Sequence, residues 1–132
     1  MKYVTLVFIF TIVFFSANNF ANEVEIVNTE FIHKSGTSWR VNTTLKHADS
    51  GWDHYADAWR VMSKDGKKLG ERILFHPHET EQPFTRSLSQ LIIPQSENIV
   101  YVEAHDKVHG WSKQRVMVNL LKNKGDHYCV RR

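Results

Sequence analysis

One cysteine, Cys129, is present in the whole chain, so no intrachain disulfide can hold the fold. Stability must come from a packed core, with or without a bound ion. Neither an HExxH helix, a paired-cysteine motif nor an acidic calcium loop occurs, which excludes the commonest sequence-readable zinc and calcium sites. No amphipathic helix, internal repeat or low-complexity linker is visible, and nothing marks a second domain. Charge of neither sign dominates. The 17 basic and 14 acidic residues are scattered along the chain, which argues against a nucleic-acid partner.

The longest apolar run, Val4 to Phe15, follows Lys2 and is too short to span a bilayer comfortably. Small and polar residues from Ser16 to Ala21 complete the layout of a secretory signal peptide, with cleavage expected after Ala21. Residues 1–21 are therefore assigned to the leader, 22–121 to one domain and 122–132 to a polar C-terminal tail. The expected destination is periplasmic or extracellular, with no stable membrane span after cleavage. In that oxidising setting Cys129 has three readings: a bridge between chains, a soft metal ligand, or an incidental tail residue.

The mature part reads as all-β. Trp39, Val41, Thr43 and Leu45 alternate with polar residues and share one face of a strand. Trp59 and Val61 do the same within Tyr55–Met62, and Asp65-Gly66 is a hairpin signal leading into Leu69–Phe75. Val24–His33, Phe84–Ile93, Glu97–His105 and Lys113–Leu121 complete a set of about seven strands, with Pro83 and Pro94 at strand boundaries. The expectation is an immunoglobulin- or fibronectin-type antiparallel β-sandwich, with an open barrel as the alternative.

Histidine is the abundant residue that calls for an explanation. If each connection reverses the chain, the first, third and fifth lie at one end and carry no histidine. The second, fourth and sixth carry His47, His54, His76, His78, His105 and His109 within or beside them. Imidazoles gathered with carboxylates suit a metal site, a proton-handling site or a pH switch. The first-choice ligands for Zn(II) or Cu(II) are His76, His78, His105 and His109. Asp53, His54, Asp57, Glu79 and Asp106 are alternative ligands or acceptors that fix an imidazole tautomer. Arg86 shares the parity of Phe84 and Leu88, so it is expected either to form a buried clamp with Asp57 or to orient an anionic ligand. Trp52, Tyr55 and Trp111 flank the pole as recognition aromatics, while Trp39 and Trp59 belong to the core.

The blocks Gly51-Trp52-Asp53-His54-Tyr55-Ala56-Asp57-Ala58-Trp59-Arg60-Val61, His76-Pro77-His78-Glu79, Gln82-Pro83-Phe84-Thr85-Arg86-Ser87 and His105-Asp106-Lys107-Val108-His109-Gly110 together resemble a group of small exported bacterial proteins. The resemblance spans about residues 51–112. It implies an envelope or extracellular setting and supplies neither activity nor ligand.

Two functional readings follow. The first is an exported transition-metal-binding sandwich acting in metal storage, delivery or sensing. The second is a metal-free envelope module that recognises a protein or glycan through Trp52, Trp111, Arg86 and the loop histidines. No catalytic residue is assigned. A site with three protein ligands would leave a coordination position open, which keeps metal-assisted hydrolysis as a minor alternative.

Overall fold

Alternation along Ser38–Lys46 produces strand β2, in which Trp39, Val41, Thr43 and Leu45 are buried and the residues between them are half-buried. The same period of two builds the rest of the molecule. The structure, a computed structural model, describes residues 22–132; the leader and its cleavage point lie outside the described residues. The other strands are β1 (Glu25–Ser35), β3 (Ala56–Ser63), β4 (Lys68–Ile73), β5 (Phe84–Ile92), β6 (Ile99–Asp106), β7 (Gly110–Asn119), β8 (Lys124–Gly125) and β9 (Tyr128–Arg131).

Two sheets result, ordered β5-β2-β1-β9-β8 and β4-β3-β6-β7. The fold is the expected all-β sandwich. Between the sheets lie Phe31, Val41, Trp59, Val61, Val102 and Val118, each fully buried. Thr29 and Thr43 interrupt this apolar layer without leaving a polar group unpaired, because their hydroxyls bond each other at 2.9 Å. The β3–β4 hairpin turns through Gly66, whose φ of +83° suits glycine.

Residues 122–132 correct the expectation of a polar tail outside the domain. They fold back as β8 and β9, and β9 pairs parallel to β1 from Thr29↔Tyr128 to Ile32↔Arg131. Tyr128 and Val130 enter the core, while Cys129 is half-buried and carries a free thiol. Four residues flanked by charge give little periodic signal, and their partner strand lies about a hundred residues away. Among the described residues the count is therefore nine strands rather than seven.

A second correction concerns Asp57. The β3–β6 ladder pairs Ala56 with Asp106 and Ala58 with His105, so Asp57 is the extra residue of a β-bulge. The bulge breaks the parity that linked Asp57 to Trp59 and prevents the expected Arg86–Asp57 clamp. Asp57 instead faces the outside of the four-stranded sheet.

Candidate metal site at the histidine pole

Strand parity carries two polar residues into one end of the core. His47 follows the inward series Trp39, Val41, Thr43, Leu45, and Asp106 follows Val100, Val102, Ala104; both are buried. A third polar residue, Asp49 in the β2–β3 connection, is buried beside them. Burying these groups is tolerable only if their hydrogen-bonding capacity is met.

Asp49 is the structural hub. Its Oδ1 accepts from His47 Nδ1 at 2.5 Å and from the Ala56 amide at 3.0 Å, and its Oδ2 accepts the His78 amide at 2.7 Å. Gln82 ties the same two connections together: its Oε1 accepts the His47 amide and its Nε2 donates to the His78 carbonyl. Gln82 precedes Pro83 through a cis peptide bond.

Asp106 is the second hub. It accepts the amides of Val108 and His109 at 2.9 and 2.7 Å, and the His109 ring approaches it at 3.1 Å. Burial pushes its carboxyl up, but those two amides and His109 outweigh burial and hold it below the ordinary aspartate value. His54 Nε2 lies 3.3 Å from Asp106 Oδ1, and His47 Nε2 lies 4.0 Å from its Oδ2. Two further ring contacts join the group: His47 to His54 at 4.8 Å and His54 to His109 at 5.1 Å between centroids.

Two ring nitrogens at this pole, His54 Nε2 and His78 Nδ1, are buried without a hydrogen-bond partner. His78 Nδ1 lies 3.9 Å from Asp49, whereas His54 Nε2 faces Asp106 at 3.3 Å. The potential ligand atoms of His47, His54 and Asp106 all fall within 4.8 Å of one another. Zinc–nitrogen bonds of about 2.0–2.1 Å place ligands on a tetrahedral ion roughly 3.4 Å apart, so the His54–Asp106 spacing already matches, while within a group spanning 4.8 Å His47 must move inward by up to about 1.4 Å. Asp49 on His47 Nδ1 supplies the carboxylate that usually orients a metal-binding imidazole.

The expected quartet of His76, His78, His105 and His109 is divided among different surroundings. His105 points to the opposite face of β6 from Asp106, where Nδ1 meets Asp57 at 2.5 Å and the ring packs edge-on against Trp111. Arg60 covers the Trp111 ring at 3.6 Å and is held by Glu103. Asp57, His105, Trp111, Tyr55 and Phe75 line a shallow groove of about 250 Å³ there. His78 is buried, stacks on Phe84 and accepts from Arg86 at 2.9 Å through Nε2. Burial first, then Arg86 and His76, push the His78 imidazole below its ordinary value. His76 is exposed and bonds the Pro77 carbonyl.

Arg86 also pairs with Glu81 at 3.3 Å, which replaces the expected bond to Asp57. Asp53 and Glu79 stay exposed, away from the ligand group within 4.8 Å. Trp52 is exposed and packs edge-on against the buried Tyr55. Sequence reasoning missed Asp49 and Gln82, and it placed His47 at the pole without assigning it to either ligand set. The parity after Leu45 was the signal that could have found His47, but a loop carboxylate such as Asp49 leaves no periodic trace.

The chain is 37% identical over 97 residues to a protein of Halomicrobium mukohataei (strain ATCC 700874 / DSM 12286 / JCM 9738 / NCIMB 13541) described as "Putative lipoprotein". The match covers 74% of this chain and 47% of the relative, so the chain spans about half the relative's length. No family model and no solved structure matches the chain. Among the described residues, no helix is long and apolar enough to cross a membrane.

Proposed function

We propose that this is an exported protein whose histidine pole binds one transition-metal ion, Zn(II) or Cu(II), through His47, His54 and Asp106. Export is supported by the leader-like residues 1–21 and by the lipoprotein description of its relative. The metal reading is carried by His54 Nε2, a buried nitrogen with no hydrogen-bond partner at ligand spacing from a buried carboxylate. A divalent ion would satisfy that nitrogen and compensate the two carboxylates, Asp49 and Asp106, whose side chains have 0% exposure. Imidazole and carboxylate together suit zinc and copper better than calcium or magnesium. Three protein ligands leave room for a further donor, as storage, delivery or sensing requires of a site that must exchange its ion.

Elemental analysis of protein purified without chelators tests the reading. About one equivalent of zinc or copper per chain is expected in the parent and none in His54→Ala. Because His54 Nε2 makes no hydrogen bond, the variant should keep its metal-free stability within about 1 kcal/mol, separating lost ligation from lost folding. A parent that is purified metal-free and fails to take up added zinc or copper would refute the proposal and favour the metal-free recognition module.

A further inference from the structure

The N-terminal end of the described chain is fastened at the same pole. Val24 is buried, and the Gln114 side chain bonds both the amide and the carbonyl of Ile26. Glu23 accepts the Lys113 amide at 3.1 Å. These contacts direct the approach to β1, and the residue before them, Asn22, places its carbonyl oxygen 2.9 Å from His47 Nε2. Nε2 is the nitrogen a metal ion would need, because Nδ1 is engaged by Asp49. The Asn22 carbonyl thus stands where an ion on Nε2 would either bind that oxygen or push it aside.

Leader removal changes the chemistry of this same residue. Before cleavage after Ala21, the Asn22 nitrogen belongs to a peptide bond, and its lone pair is delocalised into the carbonyl. Afterwards it is an α-amino group, largely protonated at neutral pH, which gives its proton to solvent as its lone pair binds a metal. The amine nitrogen and carbonyl oxygen of one residue close a five-membered ring with an ion. Asn22 has a 3₁₀ backbone, which leaves its nitrogen and carbonyl oxygen on opposite sides, about 3.6 Å apart. Once the chain begins at Asn22, rotation about its Cα–C bond can swing the amine to the carbonyl side, about 2.7 Å from that oxygen, as a five-membered ring requires.

We propose that processing after Ala21 makes Asn22 a two-atom ligand of the pole, through its new α-amino nitrogen and its carbonyl oxygen. The proposal rests on the metal reading above and adds two donors to the three of His47, His54 and Asp106, for a five-coordinate site in which the weaker carbonyl donor is the one that gives way on exchange. A chain that keeps its leader lacks the amine and holds the ion weakly, so the site is completed only when export is complete.

Zinc titration against a chromophoric competitor decides the matter, using residues 22–132 beginning at Asn22 and an extended chain of residues 18–132. Both contain the whole described domain, and circular dichroism checks that the extension leaves the fold intact. Loss of a residue that merely supports a ligand typically weakens affinity about 10- to 100-fold, and loss of a ligand should cost no less. The extended chain is therefore expected to bind zinc at least about tenfold more weakly; a smaller difference overturns the proposal. His54→Ala in the chain beginning at Asn22 should abolish binding, which assigns the signal to this pole. Zinc binding that survives His54→Ala, or zinc bound by neither chain, defeats the metal reading itself. An intact mass of the exported protein that begins anywhere other than Asn22 overturns the amine ligand and leaves that reading standing.

Discussion

Replacing Asp49 with asparagine removes one acceptor from a buried junction that uses three. The carboxylate takes hydrogen bonds from His47 Nδ1, the Ala56 amide and the His78 amide, and it is shielded from water. An asparagine that keeps its oxygen toward His47 and Ala56 must aim its NH2 at the His78 amide, donor against donor. The opposite rotamer keeps the His78 bond and can donate to His47 Nδ1, but sets NH2 against the Ala56 amide, so one backbone donor is left unpaired either way. A buried donor left unpaired costs about 1–3 kcal/mol, and the weaker, uncharged bond to His47 adds to this, for a total of about 2–4 kcal/mol. A domain of this size loses about 4–8 °C of melting temperature per kcal/mol, so the expected drop is roughly 10–30 °C. Urea unfolding in the presence of EDTA, followed by tryptophan fluorescence, measures the term without a metal contribution. A loss below about 0.5 kcal/mol with an unchanged urea slope would refute Asp49 as the structural hub.

Two other perturbations follow from named contacts. The His78 imidazole is held below its ordinary value by burial, Arg86 and His76, against the opposing pull of Asp49 and Glu81. The unfolded chain therefore binds the proton more readily, so His78's contribution is complete above pH of about 6.5 and is lost as pH falls through that value toward the folded-state one. Urea midpoints between pH 7.5 and 5.5 should fall more steeply in the parent than in His78→Gln, and equal slopes would contradict this. Ending the chain after residue 122 removes Tyr128 and Val130 from the core and uncovers the β1 edge. The expected loss is about 3–6 kcal/mol from buried side chains, measured by the same titration; an unaffected truncated domain would show β9 to be dispensable.

Much of the architecture was readable because burial imposes a period of two. Trp39 to Leu45 and Val100 to Ala104 announce their inward faces, and the reversal of successive strands brings the histidine-bearing connections to one end. The same period explains what was misplaced. His105 and Asp106 are adjacent in sequence and consequently face opposite sides of β6, so treating them as one ligand group joined two surfaces. The bulge at Asp57 shifts parity by one residue, and no local residue pattern reveals it. Asp49 and Gln82 act through loop geometry, and β9 acts through a partner strand far back in the chain. Those relationships exist only after the sheets have assembled.

The parallel pairing of β1 with β9 also sets how the domain bears load. β1 begins at the histidine pole, while β9 runs beside it and delivers Arg132 to the other end, where its guanidinium lies over Trp39 and bonds the Leu120 carbonyl. Tension applied between the two ends of the chain would draw these neighbours lengthwise past each other. The ladder from Thr29 to Ile32 would then be stressed in shear, with all of its bonds loaded together instead of opening one at a time. Under such tension the short strand β9 would serve as a mechanical clasp between the histidine pole and the opposite end of the sandwich.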